Sequence, residues 1–567
     1  MKAKDLLKKA VAYSDMMVAQ IIPYQVMDEQ SENYGGYFNQ GQGFCSVTHY
    51  ETAGFVRYMG YSYCSEYSRY YNDSEILNRI IIAINFIESK QHESGFIDLR
   101  DRNYDSPPDT AFALGCLYPI AWMAKNIPNI QQGDKLYAAI RPFVVKAANS
   151  IADHGGFHTP NHRWIIMGAL AGSANVFPEV NASESIDLYL KETIDLNLDG
   201  IYSEKSIFYS SHINQKLMDA YYYMNDEYIA DCIVKNCRCI VDLMNNDTSI
   251  LTSISIRQDN GQHVFPTDFI GCFYFAAKFS DDERLFSAVE KICNKNPVQD
   301  ISLIYMFARN RDWLNDDIFV PEFVQKETRF LEDTGIWAYN RGELDVFVLS
   351  GVSNQMCIRY GDIFISSIRI NAPYFSCGQH CGYKMIPTEN GIKMITHTVY
   401  TDEQSIHMPG YWKPLGRPVT FDELPYNNLA DRIPTPRPEV KYIFDIEKRE
   451  DGIDLTVSSD GGVEGAHFAL QFDFDIPGAV ITDNTFENIS APGSKILTNG
   501  YLTYRKGVYA ATIGPGFFEH SMISTPKKSF SVNMTADLPF KKTVQITFRK
   551  LNNHDVPEYY LSNTTLK

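Results

Sequence analysis

Apolar residues recur with a helical period in the N-terminal half of the chain. Up to about residue 310 the spacing is about 3.6 residues, in segments such as DLLKKAVAYSDMMVAQII and EILNRIIIAINFIESK, which predicts amphipathic helices. Short turns separate these helices, so we expect them to pair as hairpins. The hairpins recur about every 40 to 50 residues without a strict sequence repeat, which predicts an (α/α) toroid rather than a regular repeat array.

From about residue 340 the apolar residues alternate with polar ones, as in VKYIFDIEKREDGIDLTVSS. Two dipeptides, Asp451-Gly452 and Asn499-Gly500, are typical of tight hairpins. Alternation with tight turns predicts antiparallel sheets packed face to face. A polar, proline-containing connector separates the two patterns. The predicted domains are therefore an (α/α) toroid over residues 1–325 and an antiparallel β-sandwich over residues 326–567.

Composition narrows the class of protein. A hydrophobic fraction of 44% with 21% charged residues is typical of a globular protein, and 567 residues are too many for one core. The formal net charge of −18 argues against a nucleic-acid partner, which would need a basic surface. No apolar run approaches the length of a membrane span, so no membrane partner is predicted.

The N-terminus and the cysteines indicate where the protein acts. MKAKDLLKKAVAYSDMMVAQII reads as an amphipathic helix without the apolar core of a signal peptide. As written, the chain is therefore predicted to be cytoplasmic, or secreted or periplasmic if residues have been removed from its N-terminus. The eleven cysteines are scattered and odd in number, which does not indicate a disulfide framework.

The segment TPNHRW places three polar side chains in the first turn of a predicted helix. Thr159 suits the N-cap and Pro160 the first helical position. Asn161, His162 and Arg163 then lie where free backbone N–H groups and the helix dipole favour an anion. An amide, an imidazole and a guanidinium at this point would bind a carboxylate. The alternative is that Asn161 caps the helix while His162 and Arg163 are partly solvated.

A second polar segment, LDGIYSEKSIFYSSHINQKL, follows at residues 198–217. Tyr209 and His212 are three residues apart and share a face if both are helical. Tyr209 lies 48 positions after Asn161, which is about one helical hairpin. Equivalent positions on successive hairpins of a toroid are neighbours, so Asn161, His162 and Tyr209 are expected to converge. The alternative is that Tyr209 is an ordinary aromatic among the 36 tyrosines.

The chain resembles heparinase II/III-like polysaccharide lyases in three features. These are the order of its domains, the Asn161-His162 pair and the pattern Asp-Gly…Glu-x-Ser-x-x-Tyr over 199–209. The resemblance implies a toroid packed on a β-sandwich and cleavage of uronate-containing polysaccharides by β-elimination. It implies that Asn161 neutralises the uronate carboxylate and that Tyr209 serves as base, acid or both. The family usually adds a histidine from the sandwich; His380 and His397 are the candidates, and neither lies in the family's His-rich strand motif.

The chemistry agrees with these residue types. Neutralising the uronate carboxylate stabilises the enolate-like charge that develops when the neighbouring proton leaves. Tyr209 would take that proton as tyrosinate or return one to the departing oxygen. Because a free tyrosine has a pKa of about 10, a cation such as Arg163 or a protonated histidine would have to stabilise the ionised form. The predicted partner is an anionic, uronate-containing oligosaccharide or polysaccharide, and no cofactor is required.

Further polar residues are predicted to bind substrate. Asp109, in YDSPPDTAF, is either a helix N-cap or a substrate-binding carboxylate. The others lie in or beside loops that would surround one end of a toroid: His158, Glu204, His212 and Arg257. An enzyme without an export signal would meet imported oligosaccharides, which favours an oligosaccharide-level or exo-acting lyase.

No metal site is predicted, although some members of the family hold a structural metal. The groups Cys377, His380, Cys381 and Cys232, Cys237, Cys239 lack zinc-like ligand spacing. Two alternatives to a lyase stay open. One is a glycoside hydrolase that uses the carboxylates of Asp109 and Glu204, with Asp153 and Asp259 in reserve. The other is a non-catalytic glycan-binding protein.

Overall fold

The structure is a computed structural model that describes residues 2–316, 320–371, 374–375, 380–398, 413–420, 439–482, 485–523 and 528–551. One compact unit comprises Met1–Met244 and Thr248–Val324, and a second comprises Asn245–Asp247 and Gln325–Lys567. The first unit is helical and the second is built of β-strands. Among the described helices, none combines the length and hydropathy that crossing a bilayer requires.

The described part of the helical unit contains twelve α-helices. They are Ala3–Ile21 (α1), Thr52–Cys64 (α2), Ser74–Ser89 (α3), Pro107–Asn126 (α4), Gly133–His154 (α5), Pro160–Val176 (α6), Ser183–Lys191 (α7), Ile207–Met224 (α8), Glu227–Asp242 (α9), Ile270–Ser280 (α10), Glu283–Lys295 (α11) and Ser302–Arg309 (α12). Two short hairpins precede α2 and α4. They are formed by Phe38–Asn39 (β1) with Phe44–Cys45 (β2) and by Ile97–Leu99 (β3) with Asn103–Ser106 (β4).

The even-numbered helices form an inner ring. α2 packs on α4, α4 on α6 and α6 on α8, while α10 contacts α8 and α12, and α1 contacts both α2 and α12. The sequence explains the two layers. α10 is buried over residues 270–277, whereas α11 buries one stripe that includes Leu285, Val289 and Ile292. The prediction of a helical toroid is confirmed.

The β unit contains two large sheets. Its described strands are Thr328–Leu331 (β5), Ile336–Arg341 (β6), Leu344–Leu349 (β7), Met356–Tyr360 (β8), Ile363–Ile370 (β9), His380–Thr388 (β10), Gly391–Thr398 (β11), Val440–Arg449 (β12), Gly452–Gly461 (β13), His467–Phe474 (β14), Gly478–Thr482 (β15), Thr485–Ile489 (β16), Gly493–Ile496 (β17), Leu502–Lys506 (β18), Tyr509–Gly514 (β19), Phe530–Asp537 (β20) and Lys541–Lys550 (β21). The strand orders are β10-β11-β12-β13-β21-β19-β18-β15-β16 and β17-β20-β14-β9-β8-β7-β6-β5.

Side chains from both sheets form one apolar core. The alternating pattern of β12 buries Val440, Tyr442, Phe444 and Ile446 in it, with residues of β14 and β20 from the other sheet. The predicted antiparallel β-sandwich is confirmed, with one difference: β17 pairs with β20 in parallel.

The two predicted hairpin turns have different outcomes. The first turn lies one residue earlier than expected, because Arg449 pairs with Gly452 across it. The second prediction is wrong. Asn499-Gly500 connects β17 and β18, which belong to different sheets, so this dipeptide leads the chain from one sheet to the other.

Candidate active site

Tyr209 lies in the first turn of α8, which a neighbouring loop holds in place. Ser206 is the N-cap, and its hydroxyl accepts the Tyr209 backbone N–H at 3.2 Å. Asp259, in the loop before α10, accepts the Ile207 N–H at 2.9 Å, and Ser255 donates to the same carboxylate at 2.5 Å. The loop over 255–259 is therefore anchored to the start of α8.

The same loop supplies two donors to the Tyr209 hydroxyl. Gln258 donates from Nε2 at 2.9 Å, and a terminal nitrogen of Arg257 lies 3.5 Å from the hydroxyl oxygen. The Arg257 guanidinium also lies 4.9 Å from the Tyr209 ring centroid. Two donors, one of them a guanidinium, therefore face the hydroxyl oxygen of Tyr209. The cation beside Tyr209 is thus Arg257 rather than the predicted Arg163 or a protonated histidine, and Gln258 of the same loop lies beside it.

Asn161, in the first turn of α6, presents a buried amide nitrogen without a partner among the described residues. Its Oδ1 accepts the Thr159 hydroxyl at 2.6 Å, and its buried Nδ2 has no hydrogen-bond partner among the described residues. Thr159 occupies the N-cap position, but its side chain accepts no helix N–H. The hydroxyl instead fixes the orientation of the amide. A buried amide donor without a partner costs about 1–3 kcal/mol, which indicates a ligand group at this point.

His162, next to Asn161 in the first turn of α6, belongs to a group of half-buried histidines. Burial lowers the pKa of His162 to about 4, with further contributions from His158 and Arg257. Burial likewise lowers the pKa of His212 to about 4 and that of His49 to about 3. These histidines are therefore neutral at pH 7. A protonated histidine had been one candidate for the cation at Tyr209, and these pKa values contradict it.

The rings of these three histidines lie around the ring of Phe112. Its ring centroid lies 4.1 Å from that of His49, 6.2 Å from that of His212 and 6.3 Å from that of His162. His158 joins through His162, at a centroid distance of 4.7 Å. The sequence reasoning had missed His49. Its place just before α2, like that of His158 just before α6, was the signal that could have revealed it.

Glu204 and Arg257 connect the Asn161 and Tyr209 ends of the site. Both Glu204 carboxylate oxygens are buried without a hydrogen bond, and one lies 3.9 Å from the Arg257 guanidinium. Burial raises the pKa of Glu204, while the charge of Arg257 and the nearby backbone N–H of Asn161, which makes no hydrogen bond of good geometry to it, oppose this rise. Glu204 is thus a carboxyl group in which protonation is favoured, close to both catalytic candidates.

Arg163 has partners other than the predicted carboxylate. Its guanidinium pairs with Glu192 at 3.1 Å and Asp195 at 3.2 Å. Successive helical residues point about 100° apart, so Arg163 projects away from Asn161. The structure contradicts the expectation that Arg163 supports the carboxylate site or Tyr209, because two acidic side chains already neutralise its charge.

Asp109 belongs to a closed helix cap. Its carboxylate accepts the Ser106 hydroxyl at 2.6 Å and the Asn103 amide at 2.8 Å, while Ser106 accepts the Asp109 N–H at 3.4 Å. This arrangement is a variant of the capping box: Ser106 is the N-cap, and Asp109 accepts its hydroxyl rather than its backbone N–H. The interpretation of Asp109 as the N-cap itself is wrong.

The β unit, taken by itself, holds further histidines. His380, in β10, is buried with its ring 5.1 Å from that of Tyr442. His397 lies in β11 opposite Cys381, and its side chain is outside the described residues, as is Cys377. A group that could hold a metal is His467, His520 and Asp537, whose ligand atoms lie within 4.8 Å of one another. Both His520 nitrogens already have partners, the Phe468 carbonyl at 2.9 Å and the Met522 N–H at 3.2 Å.

No family model and no curated protein matches this sequence, whereas solved structures do. The chain is similar to heparinase III, at 9% identity over 97% of this chain and 86% of that one, with a TM-score of 0.58. It is similar to a mutant heparan sulfate lyase from Pedobacter heparinus, at 10% identity over 88% and 76% of the two chains and a TM-score of 0.53. A Paenibacillus xanthan lyase matches at 11% identity over 99% of this chain and 58% of its own, with a TM-score of 0.54. The chain has a heparinase-like polysaccharide lyase fold, as the resemblance predicted.

Proposed function

We propose that this protein is a glycan lyase that cleaves uronate-containing oligosaccharides by β-elimination. The observation that carries the proposal is a buried Asn161 Nδ2 with no hydrogen-bond partner among the described residues, on the same helical unit as a Tyr209 hydroxyl that Gln258 and Arg257 face. The likeness in fold to heparinase III, heparan sulfate lyase and xanthan lyase supports the reaction class. The residues just described support the mechanism.

Asn161 binds the uronate carboxylate in the proposed reaction. Its Nδ2 donates to a carboxylate oxygen, and the bond from Thr159 keeps the amide from rotating. His162, which is neutral, adds a hydrogen bond from its ring rather than a charge. As the proton on the carbon next to the carboxylate leaves, negative charge moves onto the carboxylate oxygens. Donors that are already in place stabilise this charge without reorganisation.

Tyr209 moves the proton. As tyrosinate, held by Gln258 and Arg257, it takes the proton from the carbon next to the carboxylate. The released electron pair forms a carbon–carbon double bond, and the glycosidic C–O bond on the adjacent carbon breaks. The departing oxygen takes its proton from Tyr209, which restores tyrosinate. The reaction consumes no water and needs no cofactor, and one product is an unsaturated sugar.

One observation favours a glycoside hydrolase as the second candidate. Glu204 is a buried carboxyl group whose pKa is raised by desolvation, as a general acid requires. A hydrolase also needs a second carboxylate across the scissile bond. Asp109, the partner considered for this role, is engaged in the capping box of α4. The lyase therefore stays the first candidate.

Ultraviolet absorbance of the unsaturated product tests the proposal. The purified chain is incubated with heparan-, hyaluronan-, alginate- and glucuronan-type oligosaccharides, alongside Tyr209→Phe. Tyr223→Phe is the matched control, because it lies on the same helix about 21 Å further along. We expect absorbance with the wild type and with Tyr223→Phe, and a loss of at least about 100-fold with Tyr209→Phe. New reducing ends without absorbance, lost in Glu204→Gln but kept in Tyr209→Phe, would instead establish the hydrolase.

A further inference from the structure

A chamber of about 280 Å³ lies in the core of the toroid and shares His49, Phe112 and His212 with the candidate active site. We call it the axial chamber. Its lining includes Tyr50, Arg57, Phe112, Gln215, Lys216 and Tyr305. Phe208, whose ring centroid lies 5.4 Å from that of Tyr209, and His212 also line it. A substrate held at Tyr209 would therefore have one neighbouring unit at the mouth of this chamber.

The axial chamber is deep, and side-chain bonds cross its far end. Its lining on α8 runs from Phe208 to Tyr222, about 21 Å along the helix. At depth, Lys216 donates to Tyr118 at 2.7 Å and to Asp219 at 2.9 Å, and Tyr118 donates to Asp219. These bonds join α4 to α8 across the interior, so a glycan that threaded through would have to break a buried ionic network.

A second hydrogen bond lies across the same end of the axial chamber. The Tyr222 hydroxyl accepts from Asn310 at 2.6 Å, and the Arg309 guanidinium lies 4.5 Å from the Tyr222 ring centroid. Arg309 also donates to Tyr305 at 3.2 Å. The chamber is therefore suited to the end of a glycan chain. Its volume, at the lower limit of the roughly 300–1,000 Å³ of small-molecule pockets, suits one sugar unit.

The charges in the axial chamber favour an uncharged unit. Two cations, Arg57 and Lys216, share it with three carboxyl groups, Asp219, Asp268 and Asp300. Lys216 pairs with Asp219, whereas the buried Nε of Arg57 has no hydrogen-bond partner among the described residues. Donors and acceptors thus stand beside aromatic rings, an arrangement that suits the hydroxyls and apolar faces of a sugar. A sulfate or second carboxylate would add negative charge beside three carboxyl groups in a desolvated space.

We propose that the axial chamber is a subsite for one uncharged sugar unit at the end of the substrate, so that the enzyme cleaves from the chain end. The substrate class is then an unsulfated chain in which uronates alternate with neutral sugars. This inference rests on the proposed lyase activity for its kinetic test, and a binding test stands apart from that activity.

The kinetic test follows product size with time on unsulfated hyaluronan-type oligosaccharides of increasing length. We expect one small product of constant size from the first time point, whatever the length. Gln215→Trp fills the chamber, because Gln215 lines it and its side chain makes one hydrogen bond within the part of the chain that the structure describes, at 3.3 Å to the Asp268 carbonyl. We expect this variant to lose at least tenfold in kcat/KM. Gln20→Trp, on the exposed face of α1, is the control and should match the wild type.

Two results would overturn the chamber proposal where the enzyme is active. One is a ladder of intermediate products from the first time point, which means that chains are cut internally. The other is a Gln215→Trp variant with unchanged kcat/KM and an unchanged thermal midpoint. A heparin-type sulfated chain cleaved as well as the unsulfated chain would overturn the requirement for an uncharged unit.

The binding test applies if no glycan is turned over, in which case the proposed function has failed. Calorimetric titration then compares an unsulfated hyaluronan-type tetrasaccharide with its heparin-type counterpart. A loss of affinity of at least tenfold in both Gln215→Trp and Arg57→Gln, at unchanged thermal midpoints, with Arg141→Gln as the exposed control, would support the chamber as a sugar site. Absence of binding, or equal binding by wild type and both chamber variants, would overturn it.

Discussion

Two inner helices of the toroid begin with the same kind of sequence and differ in how their first turns are satisfied. α4 starts from Ser106 followed by Pro107, and α6 from Thr159 followed by Pro160. In α4 the Ser106 hydroxyl accepts the backbone N–H of Asp109 and donates to the Asp109 carboxylate, so both side chains have partners. In α6 the hydroxyl turns to Asn161 instead, and the amide nitrogen stays unpaired and buried.

The difference distinguishes a helix start that stabilises the fold from one that is available to a ligand. A closed capping box contributes stability through the hydrogen bonds it makes. A buried donor without a partner has the opposite effect, since it has lost water and gained nothing in the apo protein. In the proposed reaction a substrate carboxylate accepts a hydrogen bond from Asn161 Nδ2. We infer that the start of α6 keeps this unpartnered donor for that reason.

Removing the polar side chain of each helix start should separate its effect on catalysis from its effect on stability. Asn161→Ala should lower kcat/KM by roughly 100- to 1,000-fold, because it deletes a donor to the developing charge. Its thermal midpoint should stay the same or rise, since an unsatisfied buried amide is lost. Asp109→Ala should keep kcat/KM and lose about 1 kcal/mol of unfolding free energy. Steady-state kinetics and thermal unfolding of both variants measure this; the reversed pattern would contradict it.

The sequence allowed the fold class to be predicted because hydrophobic period is a local property. Periods of about 3.6 and two follow from helix and strand geometry, and the structure confirms both halves. The Asn499-Gly500 turn was misjudged, because a tight turn between strands of one sheet and a crossing between two sheets use the same dipeptide.

The site was less predictable, because it depends on contacts between segments far apart in the chain. Arg163 was assigned to the carboxylate, whereas Glu192 and Asp195, about thirty residues later, pair with it. Arg257 and Gln258 meet Tyr209 only because Asp259 caps α8 from a distant loop. Which guanidinium faces a site depends on the direction of a side chain, and residue spacing alone does not determine that direction.

The two arginines provide the next test. Arg257→Met should lower kcat by about 100-fold and move the ascending, acidic limb of the pH–rate profile to higher pH, because the proposed base is tyrosinate and it loses its neighbouring cation. Arg163→Met should leave the profile in place and lower stability, because Asp195 would remain half-buried without its cation. pH–rate profiles of both variants, with thermal midpoints, decide this. Equal profiles for Arg257→Met and the wild type would remove Arg257 from the mechanism.

Protonation of His162, at the start of α6, should make the stability of the protein depend weakly on pH. Burial depresses the pKa of His162 to about 4, below its ordinary value of about 6.5. Between these values the unfolded chain binds a proton that the folded chain does not, so this histidine lowers stability as the pH falls from about 6.5 to about 4. The contribution stays below about 1.4 kcal/mol per pH unit, since His162 is half-buried. We expect the thermal midpoint of His162→Gln to fall less steeply than that of the wild type across this window. Parallel curves would show that the ring titrates normally in the folded protein, and it would then be free to carry a charge beside the substrate at mildly acidic pH.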